Sequence, residues 1–501
     1  MSSRRINVNV VSLAAILVAG GPGATAAAVV HLANGVKIGE VTSTTGIVWV
    51  RLTKKANYKR DGLKFHEPAV KPTPDGNIVD ATTASPADGY CHQIPPGHRL
   101  GEMQTVVPGT SGEVRLHYWR ESGSASRVST KWTAVNESQD YTHQFRLSEL
   151  RPGTRCQFLV EGRSSKDADV TVTLRSAFRT APVADNEHAG VTFTVVTGQM
   201  WNTRDDDRGQ RIYAAMGRLR PDFFVHTGDI VYYDKVGPWV THIDLARLKW
   251  NRTYAQPFVR DFHNRVPSYF MKDDHDSWQN DCWPGQENNR MGQFTWGQGR
   301  RVFLEQVPMG HSTYRTIRWG KDLQVWLVEG RDFRSANDAP DGPDKTIWGN
   351  EQNAWFQRTV TESNATFRVL ISPTPILGPD HLWKEGKSDN HVASRRAYDG
   401  VRLRRFVSAQ KNMFIVCGDR HWQYVSVAPE SGLREYSCGP TTDKHATTLK
   451  NDDHRMLTYL GERGGFLAVT VRRADGEPSI RFRHYDVAGN VVNVDSPVRE
   501  R

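Results

Sequence analysis

The sequence predicts a mixed α/β protein in two parts: a small β-sandwich over residues 29–182, then a larger unit over 189–501 in which strands alternate with helices. Three observations predict it. Residues 30–182 carry short apolar-alternating runs separated by Gly, Pro and polar turn residues. From 189 onward, apolar strand-like runs alternate with segments of helical period. Several of those apolar runs stop in clusters of Asp and His.

Composition is compatible with this. The chain has 501 residues, 38% hydrophobic and 24% charged, enough to bury sizeable cores without disulfide staples. A formal net charge of +10 favours anions in general: phosphate esters, polyanions and anionic surfaces. The five cysteines, Cys91, Cys156, Cys282, Cys417 and Cys438, form no CxxC pair. That argues against a zinc ribbon and against disulfides as the main fastening.

The N-terminus reads as a signal peptide over 1–28. Arg4 and Arg5 are followed by an apolar, small-residue stretch over 8–20 and by A-x-A positions within 24–28. Export to the periplasm or outside the cell is expected. No later apolar run approaches the ~18 residues that span a bilayer, so no transmembrane segment is expected in the mature chain.

In the sandwich, residues 41–52 read as a strand, with Ile47, Trp49 and Arg51 on one face and Val48, Val50 and Leu52 on the other. Residues 115–119 and 157–160 behave similarly. Residues 57–112, rich in Gly, Pro and polar residues, read as a long insertion. Leu150-Arg151-Pro152-Gly153-Thr154 resembles the late turn of fibronectin type III modules, and 178–182 reads as a linker.

In the second unit, strands are predicted at 192–196, 223–226, 268–271, 323–328, 367–371 and 413–417. Ile212, Ala215, Met216 and Leu219 fall on one helix face. Further helices are predicted around 244–262, 295–307, 351–361 and 399–409, and a closing hairpin at 466–472 and 479–485.

The chemistry lies at three strand ends. Residues 223–226 run into Thr227-Gly228-Asp229-Ile230-Val231-Tyr232. Residues 269–271 run into Lys272-Asp273-Asp274-His275-Asp276. Residues 414–417 run into Gly418-Asp419-Arg420-His421. Sites in α/β sheets form beyond the carboxyl ends of strands. Carboxylates gathered there repel one another, and one or two cations relieve that repulsion. Each motif alone has a plain reading: a Gly-Asp turn, a solvated acidic loop, a core tyrosine. Their order and spacing together point to a metal site.

The order GDxxY, DDHD, GDxH resembles the alkaline phosphatase D (PhoD)-like family of calcineurin-like metallophosphoesterases. Glu329-Gly330-Arg331-Asp332-Phe333-Arg334-Ser335 is similar to that family's Asp-Thr-Arg-x-Tyr-Arg-Ser segment. The resemblance covers most of the chain. It implies an αββα sandwich behind the fibronectin-like module, and a binuclear centre of iron and calcium. The activity it implies is phosphomonoesterase or phosphodiesterase activity at alkaline pH. By matching position, Asp229 bridges the metals and Tyr232 binds ferric ion as phenolate. Asp274, with Asp273 beside it, takes the position of the superfamily's Asn in Gly-Asn-His-Glu. Asp419 and His421 are further ligands. His275 protonates the leaving group. Arg331 and Arg334 contact the phosphoryl oxygens, pairing with Asp332 being their plain alternative. His391 and Asn280 complete the substrate-binding candidates.

One position departs from the pattern. Where the family reads Ser-Cys-Gln, this chain has Thr197-Gly198-Gln199. Gly198 offers no donor, which leaves metal identity open to Mn or Zn and raises Gln199, Asn202 and His226 as substitutes. The expected mechanism is in-line attack on phosphorus by a metal-bound hydroxide. Two rival readings remain. One is an exported polyanion- or glycan-binding protein with a degenerate metal site, its cleft walled by Trp278, Trp283, Trp383 and Trp422. The other is a nuclease or phospholipase on the same scaffold. No specific nucleic-acid-binding motif is present, and the sequence leaves oligomeric state open.

Overall fold

A computed structural model describes residues 28–66, 93–121, 127–187 and 190–499. Residues 1–27 of the expected signal peptide and residues 67–92 of the insertion, Cys91 among them, lie outside the described residues.

The N-terminal strands are β1 (Val36–Gly39), β2 (Gly46–Arg51), β3 (Gly112–Arg120), β4 (Val128–Ser129), β5 (Thr133–Val135), β6 (Thr142–Leu147), β7 (Arg155–Arg163) and β8 (Val172–Arg179). The strand expected over 41–52 begins at Gly46. Residues 42–45 form the turn of the β1–β2 hairpin, closed by Thr42 N–H to Thr45 O at 2.9 Å. Both faces of β2 are buried. Val48 and Val50 pack on Leu116, Phe158 and Val160. On the opposite face the Trp49 indole donates to Glu305 O at 2.8 Å and Arg51 pairs with Asp140 at 2.9 Å. The fibronectin-like turn connects β6 to β7, and Gly153 supplies its left-handed residue at φ +65.

The remaining strands are β9 (Val191–Val196), β10 (Phe223–His226), β11 (Ser268–Phe270), β12 (Arg315–Trp319), β13 (Leu323–Leu327), β14 (Phe367–Ser372), β15 (Met413–Cys417), β16 (Gln423–Val427), β17 (Arg434–Cys438), β18 (Leu457–Gly461), β19 (Gly465–Ala474), β20 (Glu477–Asp486) and β21 (Val491–Asp495). The helices are α1 (Ile212–Arg218), α2 (Ile243–Tyr254), α3 (Pro257–His263), α4 (Asp274–Ser277), α5 (Trp296–Gln306), α6 (Gly349–Thr361), α7 (Leu382–Glu385) and α8 (Ala397–Ser408). The single helix expected over 244–262 is two, α2 and α3. Pro257 opens the second, where its missing N–H leaves no helical bond unmade.

Two large sheets face each other. The nine-stranded sheet runs β21-β20-β19-β9-β10-β11-β1-β2-β6 and the seven-stranded sheet runs β12-β13-β14-β15-β17-β16-β18. A smaller sheet, β4-β3-β7-β8 with β5 on β3, closes the N-terminal sandwich. Three N-terminal strands thus extend the first large sheet, through parallel pairing of β1 with β11 at Gly39 and Ser268. Between the large sheets lie Phe193, Val195, Phe223, Val225, Val325, Leu327, Val369, Ile371 and Val416. Ile212, Met216, Leu245, Leu248, Phe262 and Phe303 of α1, α2, α3 and α5 cover the outer face of the first sheet. Phe356, Val360, Leu403 and Val407 of α6 and α8 cover the second. This is a helix–sheet–sheet–helix sandwich. The central strands are parallel and covered on both sides, which is why β10 and β15 read as unbroken apolar runs. Among the described residues no helix is long and apolar enough to cross a membrane.

Candidate metal centre

The site is built from the loops that leave β9, β10, β11 and β15 at their carboxyl ends. Gly228 takes φ +116, and a Cβ there would meet Asp273 N at 2.5 Å. Only glycine lets the β10 loop lie against the β11 loop. Asp276 then fastens the two, accepting Ile230 N–H at 3.0 Å and Asp273 N–H at 2.6 Å. Its burial pushes the Asp276 carboxyl up to about 7. Asp419 at the end of β15 is joined to the β9 loop by its N–H to Thr197 Oγ1 at 3.2 Å.

Asp229 sits at the centre. Its carboxylate belongs to two donor groups, one with Asp274 and His275 and one with Asp273 and Asp419, whose ligand atoms all lie within 4.8 Å of one another. Tyr232 Oη donates to Asp229 Oδ2 at 3.3 Å. His421 Nε2 lies 3.4 Å from Tyr232 Oη and 4.0 Å from Asp229 Oδ2. Burial, and then the charges of Asp274, Asp273 and Asp276, push Asp229 well above the ordinary carboxylate range. Asp229 Oδ1 and Asp273 Oδ2 are buried without a hydrogen-bond partner. Crowded carboxylates with two orphaned oxygens are the donor set a cation completes, so the residues present fit metal binding. Burial and the neighbouring His445 hold His421 well below its ordinary value, leaving a neutral imidazole able to ligate.

His275 bonds through Nδ1 to Asp234 Oδ1 at 2.6 Å, and Asp234 Oδ2 accepts Asn280 N–H at 2.9 Å. Burial opposes the imidazolium, but Asp234 and Asp274 outweigh it and raise His275 above its ordinary value. The Tyr232 ring lies over His275 with centroids 4.3 Å apart. Asp274 accepts His275 N–H at 2.8 Å and Asp281 N–H at 2.7 Å. Burial would raise Asp274; the charges of His275 and Arg331 outweigh it and hold the group low.

Arg331 is fully buried, with Nε on Asp273 at 2.6 Å and Nη1 on Asp389 at 2.9 Å, while its Nη2 has no hydrogen-bond partner. Arg334 bonds Gly330 O at 2.6 Å and Asp389 O at 2.9 Å. Asp332 pairs instead with Lys272 at 2.6 Å. His391 is buried, 3.4 Å from Asp399 and edge-on to Trp348, and belongs to none of the donor groups. The Asn280 side chain is exposed. The candidate substitutes at the first motif are engaged elsewhere. Gln199 Oε1 accepts from Tyr213 Oη and from His226 Nε2, and Asn202 donates to Val236 O. Burial pushes His226 down to about 3. Gly198 itself takes φ +57, and a Cβ there would lie 3.2 Å from His421 Nε2. Of the four tryptophans flanking the motifs, Trp278 and Trp422 are buried while Trp383 is 53% exposed.

Four participants were not singled out in the sequence. Asp234 lies five residues after Asp229 in the same loop. Asp276 ends the DDHD run. Asp389 precedes His391 by two and draws Arg331, Arg334 and Lys384 together. The His445 ring lies 4.0 Å from that of His421, tilted by 50°, and its Nδ1 bonds Gly198 O at 3.1 Å. The first three sit within or beside quoted motifs. His445 ends a short 3-10 turn over Asp443–His445, with no pattern in the sequence to mark it.

Two facing sheets thus bring Asp, His and Tyr side chains together at parallel strand ends, in groups able to hold a metal ion. A family model described as PhoD-like phosphatase matches residues 193–451, and the chain belongs to that family. A solved structure of PhoD is similar at 12% identity and a TM-score of 0.67, with 95% of this chain and 90% of that chain covered. A purple acid phosphatase from seeds of yellow lupin, Lupinus luteus, is similar at 11% identity and a TM-score of 0.60, covering 92% of this chain and 73% of that one. At these identities the likeness is one of fold. No curated protein matches the chain.

Proposed function

We propose that the chain hydrolyses phosphate mono- or diesters at the Asp229 cluster, with two cations held by Asp229, Tyr232, Asp273, Asp274, Asp419 and His421. The observation that carries this reading is that the single Asp229 carboxylate reaches two donor groups while its Oδ1 lacks a partner. Bound cations supply Lewis acidity toward a phosphoryl oxygen and make water a stronger acid. Iron and calcium are the metals the family resemblance implies; the oxygen and nitrogen donors also suit Mn or Zn.

The chain's own groups account for the remaining steps. His275 holds a proton for the leaving oxygen, and Asp234 fixes its ring and favours its charged form. Tyr232, packed on that ring, limits its rotation. Arg331 holds Asp273 and Asp389 in place, so in this reading it positions ligands instead of gripping phosphate directly.

Elemental analysis of gently purified protein, combined with hydrolysis of mono- and bis-aryl phosphates before and after chelation, tests the proposal. Bound metal and hydrolysis that is lost on chelation and restored by metal are expected. Less than about half an equivalent of any metal, with hydrolysis indifferent to chelator, refutes it.

A further inference from the structure

Six exposed arginines converge on a groove of about 1050 Å3 between β7 and β8 on one side and α1 and α3 on the other. Arg155 opens β7, Arg175 and Arg179 lie on β8, Arg218 ends α1, Arg220 follows it, and Arg265 precedes β11. Two carboxylates, Asp222 and Asp261, share the lining. Asp222 lies 3.8 Å from Arg179, and Asp261 is taken by Arg260 at 3.1 Å. Arg155 pairs with Glu121 at 3.1 Å. Arg175, Arg220 and Arg265 have no carboxylate partner among the described residues. Arg175 rests 5.1 Å over the Trp119 ring, which leaves its edge free to donate.

The groove is remote from the metal centre. Residues 220–222 lead into the amino end of β10 and 265–267 into that of β11, whereas Asp229 and Asp273 follow the carboxyl ends of the same strands. The two therefore lie at opposite ends of the sheet.

We propose that this groove docks a linear phosphate polymer. Guanidinium forks pair bidentately with phosphate oxygens. Several unpaired forks along a concave wall suit a chain with a charge on every repeat. A flat anionic membrane could not follow the concavity.

The test uses the full chain and end-labelled inorganic polyphosphate, followed by anisotropy over a salt series. The groove triple Arg175→Gln/Arg220→Gln/Arg265→Gln is compared with a charge-matched triple on α6 and α8, Arg358→Gln/Arg402→Gln/Arg405→Gln, whose arginines are also exposed. The groove triple should weaken binding roughly tenfold or more and lower the log–log salt slope by about 2. The control triple should lose less than about threefold, and a small aryl phosphate should be hydrolysed equally by all three proteins. The single Arg220→Gln variant, checked for cooperative unfolding, should show a smaller loss in the same direction. Equal losses in the two triples would reduce the effect to net charge and overturn the proposal. So would wild-type binding to anionic lipid vesicles without binding to the polymer.

Discussion

Asp276 is the side chain whose removal most directly tests how the metal centre is assembled. It belongs to neither donor group, yet it clamps the loop of Asp229 to the loop of Asp273 and Asp274 through two backbone N–H groups. Asp276→Ala leaves both buried donors without an acceptor, at roughly 1–3 kcal/mol each, or about 2–6 kcal/mol together. The substitution also relieves the burial that raises Asp276 to about 7, which places the expectation in the lower half of that range. Asp276→Asn keeps one acceptor oxygen and should lose about half as much. Denaturant midpoints of chelated wild type and both variants measure the effect. Metal retention gives a second readout, expected to weaken by about 10–100-fold, as for other groups that orient ligands. If both the midpoint and metal retention in Asp276→Ala equal wild type, the clamp does not hold these loops and the reasoning fails.

Four further outcomes are expected. Asp229→Asn and Asp274→Ala should abolish ester hydrolysis with unfolding still cooperative, and Asp229→Asn should also raise the stability of the chelated protein by relieving carboxylate repulsion; wild-type turnover in either removes that residue from the centre. His275→Ala should slow esters with poor leaving groups by roughly 10²–10⁴ and aryl esters less, and Asp234→Asn should follow in milder form; equal losses on both substrate types argue against a proton donor. Gly198→Ala should cost about 1–2 kcal/mol because φ is +57, while Gly198→Cys should raise iron retention beside His421, and ferric protein should lose its visible band in Tyr232→Phe; unchanged iron content in Gly198→Cys shows that position 198 does not face the metal. Burial pushes His484 from its ordinary 6.5 down to about 4, so its contribution to stability is present above pH 6.5 and is lost as pH falls toward 4; thermal unfolding should fall across that window by less in His484→Gln, and identical slopes refute this.

The strand ends were legible because parallel strands buried on both faces read as unbroken apolar runs, and a polar cluster directly after such a run marks the sheet's edge. Phe223–His226 and Met413–Cys417 have the bounds the pattern predicts. The strands β12, β16, β17, β18 and β21 escaped notice because they are short and mix polar with apolar residues. The break between α2 and α3 was marked by Pro257, but helical periodicity across it masked the stop. The alternation in 46–52 marked a strand; that both its faces are buried, one of them through Trp49 on the Glu305 carbonyl and the Arg51–Asp140 pair, was decided by tertiary packing.

By itself the sequence determined the order of the chemistry: which carboxylates, histidines and tyrosine stand at which strand ends. That information is local, carried by composition and by period along the chain. Only the tertiary structure decided how the charges are shared. Arg331 could have faced phosphate or solvent, and it lies buried between Asp273 and Asp389, residues 58 positions away on either side. His275 gained Asp234 as a partner across 41 residues, and His445 came to rest on His421 and the Gly198 carbonyl. Such pairings depend on how strands from two sheets converge and on which groups lose water together, and no spacing along a chain encodes that.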